Sequence, residues 1–170
     1  MGAEGTLEAK LAELERRLQA VEDEREVLRT LHQYAHSLDY GSQASEFTDC
    51  FLEDGVWYST VEGRWAGASG LRLEGREQLE RWFNRHAERG VPGHFTKHYM
   101  VEPEIRLDGD RATVQSYFSG IHEEPGGPLL YSMGRYLDVL VRCPDGRWRF
   151  QERHLCREGV HTSGQQLPAG

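Results

Sequence analysis

Apolar residues in the first forty positions recur with a helical period. Leu7, Leu14, Val21 and Leu28 return every seven residues, and Leu11 and Leu18 sit at the offset that completes an a/d seam. Arg25 and His32 then occupy seam positions where a coiled coil wants apolar side chains. Beyond them Leu31, Tyr34, Ala35 and Leu38 make the broader face of a globular helix. The pattern predicts a coiled-coil-like helical extension over residues 1–24 and the first helix of a domain spanning 25–158. One amphipathic helix lying across its own domain is the alternative. Gly41, after Asp39-Tyr40, reads as a left-handed C-cap, and Ser42 or Ser45 as the start of a short helix with Phe47, Cys50, Phe51 and Leu52 on its apolar side.

A first strand is expected over Val56–Val61, followed by a glycine-rich loop (Gly63, Gly67, Gly70) and a helix from Arg76 to near Gly90. After Pro92 the pattern changes to period two. His94–Leu107, Arg111–His122, Leu130–Val141 and Trp148–Arg157 read as strands. Asp108-Gly109 and Pro144-Asp145-Gly146 mark tight hairpins. On the second of these strands Ala112, Val114, Ser116 and Phe118 share one face, and Thr113, Gln115, Tyr117 and Ser119 the other. Helices first and antiparallel strands last predict an α+β layer: a curved sheet covered by helices, leaving a cone with a blind pocket. Residues 159–170 have the composition of a flexible tail.

Composition narrows the functional classes. The chain has 170 residues, 38% of them hydrophobic, and a formal net charge of −8. That charge argues against nucleic acid and anionic membranes as partners, since both select basic surfaces. The N-terminal MGAEGTLEAKLAEL lacks the pattern of a signal peptide. Cys50, Cys143 and Cys156 are odd in number and scattered, which suits reduced thiols and a cytoplasmic setting. Trp57, Trp148 and Phe150 suggest more apolar area than one helical layer covers, so a homodimer through the sheet, aided by the heptad seam, is expected, with a trimer as the alternative.

Candidate chemistry gathers at the end of the first helix and on the first long strand. Tyr34, His36 and Asp39 lie where an apolar face should be closing, and a polar group there needs a partner. His32, His36 and Asp39 have spacing that could ligate a metal, but they lack the acidic base of H-E-x-x-H. His98, with Thr96 and Met100 at the same parity, should face the helices and need its ring nitrogens satisfied. Asp39 is a plausible acceptor, and a carboxylate so placed makes the other nitrogen an effective base. A core histidine bonded to backbone is the alternative.

The motifs YAHSLDYG, FTDCFLEDGVWY, EGREQLERWF, HFTKHYMV, LDGDRATVQSYF and GRYLDVLVRCPDGRWRFQER resemble the SnoaL-like branch of the nuclear-transport-factor-2-like superfamily, across about Val27 to Arg157. The resemblance implies a cone-shaped α+β barrel with a catalytic Asp39–His98 dyad and Tyr34 as a donor. It also implies Tyr58 and Arg153 as substrate contacts, with Met100 and Tyr117 as further candidates. Parity puts Arg153 on the opposite face from Trp148 and Phe150 unless the last strand carries a bulge. Glu102-Pro103 departs from a common pattern with asparagine four residues after the histidine. The implied activity is that of a lyase or isomerase, of dehydratase or cyclase type, acting without metal or organic cofactor on a hydrophobic oxygenated small molecule. A non-catalytic binding or assembly module of the same fold is the alternative.

Overall fold

The computed structural model describes residues 3–62, 70–88 and 95–160. Expectations placed on Gly63, Gly67, Gly90, Pro92, His94 and residues 161–170 of the tail lie outside the described residues, whereas Gly159 and Val160, expected in the tail, belong to the last strand.

The first helix, α1 (Ala3–Tyr40), is unbroken. From Thr6 to Tyr40 the sequence contains neither glycine nor proline and is rich in Leu, Ala, Glu and Arg, so nothing interrupts propagation. The boundary expected near Glu24 is therefore a change of surroundings rather than a break. Residues 6–22 are exposed, and burial begins at Asp23. The Asp23 carboxylate accepts hydrogen bonds from Trp148 Nε1 (3.2 Å) and the Arg142 guanidinium (2.9 Å), pinning the helix to the domain. From there Val27, Leu31 and Tyr34 enter the core.

Gly41 ends α1 by close approach and not, as expected, by a left-handed cap. Its φ is not positive, its N–H donates to Ser37 O at 3.0 Å, and a Cβ would sit 2.3 Å from that oxygen. The short α2 (Ala44–Thr48) is preceded by Gln43 with no side-chain cap, while the Ser42 hydroxyl donates to Glu46 instead (3.2 Å). Strand β1 (Phe51–Val61) follows. A three-residue strand, β2 (Arg72–Glu74), lies in what reads from sequence as loop, and α3 (Gly75–Glu88) comes next. The remaining strands are β3 (Thr96–Asp108), β4 (Arg111–Glu124), β5 (Gly127–Arg142) and β6 (Trp148–Val160). Both expected hairpin turns are present, with Gly109 and Gly146 at φ 58 and 80.

The strands form one sheet in the order β2-β1-β6-β5-β4-β3. All neighbours are antiparallel except β1 and β6, which run parallel. The sheet is curved and stays open, with β2 and β3 as its edges, so the cone is not a closed barrel. Bulges do the bending. In β3 the register shifts between Val101 and Glu104, where Glu102 adopts φ 52 ahead of Pro103. In β6 Gln151 is the extra residue, since Leu140 pairs with Phe150 and Val139 with Glu152.

That β6 bulge allows Trp148, Phe150, Arg153 and Leu155 to face the same core. Trp57 (4% exposed), Trp148 and Phe150 (both 0%) are thus interior, and they do not supply the apolar outer surface on which the sheet-mediated dimer was argued.

Arg153 lies at the centre of this core, fully buried and 3.3 Å from the equally buried Asp138. Its guanidinium stacks on Tyr136 (3.7 Å), Tyr34 (4.0 Å) and Phe150 (4.5 Å). Burial pushes the Asp138 carboxyl up to about 7, against the opposing pull of Arg153. Removing one partner of such a pair strands a buried charge, whereas replacing both with apolar groups need not destabilise. Asp138→Ala is expected to lower unfolding stability in urea by ~3–5 kcal/mol, while Arg153→Met/Asp138→Leu together should cost less than half of that. Additive losses in the double variant would contradict this account of the core.

Candidate functional site

Asp39 occupies the last turn of α1, and His98 the third position of the edge strand β3. His98 Nδ1 lies 2.6 Å from Asp39 Oδ1, and the backbone N–H of His98 donates to both carboxylate oxygens (3.2 and 3.1 Å). An ionised carboxylate only accepts, so Nδ1 carries the proton and Nε2 keeps a free lone pair. The side chains of His98 and Asp39 are 12% and 8% exposed.

Nε2 points to a cavity of about 170 Å³ between the helices and the concave face of the sheet, lined mainly by aromatic rings. Tyr34, Trp57, Trp82, Phe118, Tyr131 and Tyr136 supply most of its wall. The Tyr131 hydroxyl is 3.4 Å from His98 Nε2, a long contact that leaves the nitrogen accessible from the cavity. Its ring packs on that of His122 at 3.7 Å between centroids. Burial pushes the Tyr131 phenol up to about 12, with Arg157 opposing, so it is a protonated donor at neutral pH. Arg157 lines the same cavity, and its buried Nε has no hydrogen-bond partner among the described residues.

Tyr34 is 1% exposed, and its oxygen accepts from Trp57 Nε1 at 2.9 Å. Burial raises its pKa, while Arg153 and hydrogen bonds from Trp57 and Tyr136 act in the opposite direction.

The structure brings together Asp39, His98 and Tyr34 and separates the other candidates from them. Tyr58 is on the outer face of the sheet, because alternation along β1 turns Trp57 inward. There Tyr58 donates to Glu152 (2.9 Å) and stacks on His154 at 4.2 Å. Tyr117 is 53% exposed, for the same reason that its neighbour Phe118 is buried. Met100 shares a face with His98 but does not line the cavity. Its sulfur receives Arg153 Nη2 at 2.6 Å. Arg153 is spent on Asp138 and the aromatic rings, and the arginine that reaches the cavity is Arg157, four residues further on. His32 and His36 are exposed on α1 while Asp39 turns to His98, so these three do not converge on a metal. Glu62, Cys156 and Glu158 are the one metal-spaced group among the described residues, and Arg135 pairs with both glutamates (3.7 and 2.5 Å).

Two residues missed from sequence owe their position to irregular backbone. Gly120 pairs with Ser132 and Ile121 with Leu130, so Tyr131 is the extra residue of a β5 bulge, aimed inward against simple alternation. Gly120 makes the space, since a Cβ there would lie 2.5 Å from the Tyr131 ring. Arg157 follows from the β6 bulge: once Arg153 is inward, Leu155 and Arg157 follow at period two. That bulge was the available signal.

A helix layer on an open, curved mixed sheet with a blind cavity is the architecture of the nuclear-transport-factor-2-like, or cystatin-like, fold. An NTF2-like protein with a cystatin-like fold from Novosphingobium aromaticivorans superposes with a TM-score of 0.72 at 21% identity, over 91% of this chain and 92% of that one. ActVI-ORFA from Streptomyces coelicolor gives 0.65 at 20% identity, over 81% and 96%. A chain from Catenulispora acidiphila, solved in complex with S-DNPA, gives 0.63 at 26% identity, over 78% and 91%. Residues 19–154 match the SnoaL-like domain, and the chain belongs to that family, which includes polyketide cyclases and dehydratases. No curated protein matches the chain. Among the described residues no helix is long and apolar enough to cross a membrane.

The hydrogen-bond geometry predicts that ¹⁵N–¹H correlation spectra of neutral His98 show the proton on Nδ1. Asp39→Asn should abolish that preference while His154 is unchanged. A dominant Nε2–H form in the unsubstituted protein would contradict the assignment.

Proposed function

We propose that the chain catalyses proton abstraction from a carbon beside a carbonyl or leaving group of a small, ring-bearing, oxygenated molecule, with His98 as the base. The reading rests above all on the 2.6 Å contact from His98 Nδ1 to Asp39 together with an Nε2 that faces the cavity. Asp39 orients the ring and stabilises the imidazolium formed when Nε2 takes the proton. The electron pair left on carbon moves to the carbonyl oxygen or expels the leaving group. Tyr131, held protonated by burial, donates to that oxygen or leaving group. The Tyr34 O–H, its oxygen anchored by Trp57, is a second donor. Arg157 receives a carbonyl or anionic substituent, the role expected of Arg153 from sequence.

Aromatic walls favour a flat, apolar substrate body. A cavity of about 150 Å³ holds benzene, so 170 Å³ suits a substrate with one ring and short substituents. Elimination of water, isomerisation and aldol-type cyclisation share this first step. The assignment is thus a dehydratase- or cyclase-type lyase or an isomerase, whose proton transfers are carried by side chains. The complex of the Catenulispora acidiphila chain with S-DNPA supports a small-molecule occupant of this fold.

The first step can be read without the natural substrate. Acetophenone is incubated with the protein in D₂O, and loss of the protons beside the carbonyl is followed by ¹H NMR. The unsubstituted protein should accelerate exchange over buffer, and His98→Gln should reduce that acceleration by about 10²-fold or more while circular dichroism is unchanged. Acceleration that survives His98→Gln sinks the mechanism. Saturation-transfer binding with no acceleration would instead favour the binding-module reading.

A further inference from the structure

The N-terminal half of α1 presents an uncovered apolar line. Leu7, Leu11, Leu14, Leu18 and Val21 are 69, 56, 58, 58 and 54% exposed, and no element among the described residues packs on them. Tyr99, Val101, Tyr117 and Met133 on β3–β5 are also exposed, at 49, 48, 53 and 51%, but each side chain of the α1 stripe is more exposed than these and the stripe lies in one helical line. It stops where Asp23 is captured by Trp148 and Arg142 and the helix joins the domain.

The steps from Leu7 are four, three, four and three residues. Leu7, Leu14 and Val21 are then d positions and Leu11 and Leu18 a positions, the register of a two-helix seam. In that register the flanking e positions are Glu8, Glu15 and Glu22, and the first two g positions are Lys10 and Arg17.

The flanking charges choose both occupant and orientation. In a parallel, in-register pair, each g residue meets the e residue of the next heptad on the other helix. Lys10 then meets the second copy's Glu15, and Arg17 the second copy's Glu22, twice each by symmetry. In an antiparallel pair e faces e and g faces g, which sets Glu against Glu and Lys10 and Arg17 against each other. The stripe is therefore self-complementary in one arrangement and self-repelling in the other.

We infer that α1 pairs with α1 of a second copy of this chain as a parallel, in-register two-stranded coiled coil over Leu7–Val21. The two domains then emerge at the same end of the coil, related by a two-fold axis along it. The seam is about two heptads long, short for a coiled coil, so the pair is reversible and sensitive to single charges. This assembly does not depend on the outer sheet face or on the proposed catalytic reading.

Sedimentation of the full chain tests it. The unsubstituted protein should show a concentration-dependent monomer–dimer equilibrium. Lys10→Glu/Arg17→Glu and Glu15→Lys/Glu22→Lys should each weaken self-association at least about tenfold, and mixing the two variants should restore a dimer. Leu7→Cys should form a disulfide with its own counterpart under mild oxidation, which the unsubstituted chain does not. An antiparallel pair would hold the two Cys residues at position 7 about 20 Å apart, beyond disulfide reach. A chain that stays monomeric, a dimer indifferent to the charge reversals, or a Leu7→Cys protein that does not cross-link would each overturn the inference.

Discussion

One carboxylate joins the two layers of this fold. β3 is a sheet edge, so the His98 N–H that does not face β4 would otherwise be left unpaired. Asp39, at the end of α1, accepts that N–H and also the ring Nδ1 of the same residue. The contact therefore seals an edge, docks a helix and fixes an imidazole tautomer at once. It also answers the problem posed by a charged residue at the end of an apolar helix face, because the burial of Asp39 is matched by two donors held in a fixed relation by one backbone.

A second polar contact, deeper in the core, is structural. Arg153 and Asp138 tie β6 to β5, and the stack of Arg153 on Tyr34 ties both to α1. The same Tyr34 lines the cavity. Core packing and cavity wall are consequently two sides of one aromatic layer, and a change meant for one is felt in the other.

Much of the fold was legible because it is regular. The long first helix, the period-two burial of β4 and the turns at Gly109 and Gly146 follow directly from residue types. The Asp39–His98 pair was also legible, from an unsatisfied carboxylate, a histidine of known parity and a family resemblance. What failed was whatever depends on broken alternation or on which of two neighbours turns inward. Tyr58 was preferred to Trp57, and the inward side is fixed by the parallel pairing of β1 with β6, a contact between distant segments. Tyr131 was invisible because a bulge reverses its parity, and Arg157 was passed over for Arg153, which the core had already claimed. At Arg25 the heptad pattern ends while α1 continues, because a polar seam position stops a coiled coil without stopping a helix.

The spacing of the dyad along the chain also orders its assembly. Asp39 and His98 are 59 residues apart, whereas β3, β4, β5 and β6 are joined to their neighbours by hairpins that close short loops. Closing the long loop carries the larger entropic cost and has little to hold it until the sheet edge exists. The meander can therefore form before α1 swings onto it, and the Asp39–His98 contact comes into being with that docking step. The protonation pattern of one imidazole thus records whether the chain has finished folding.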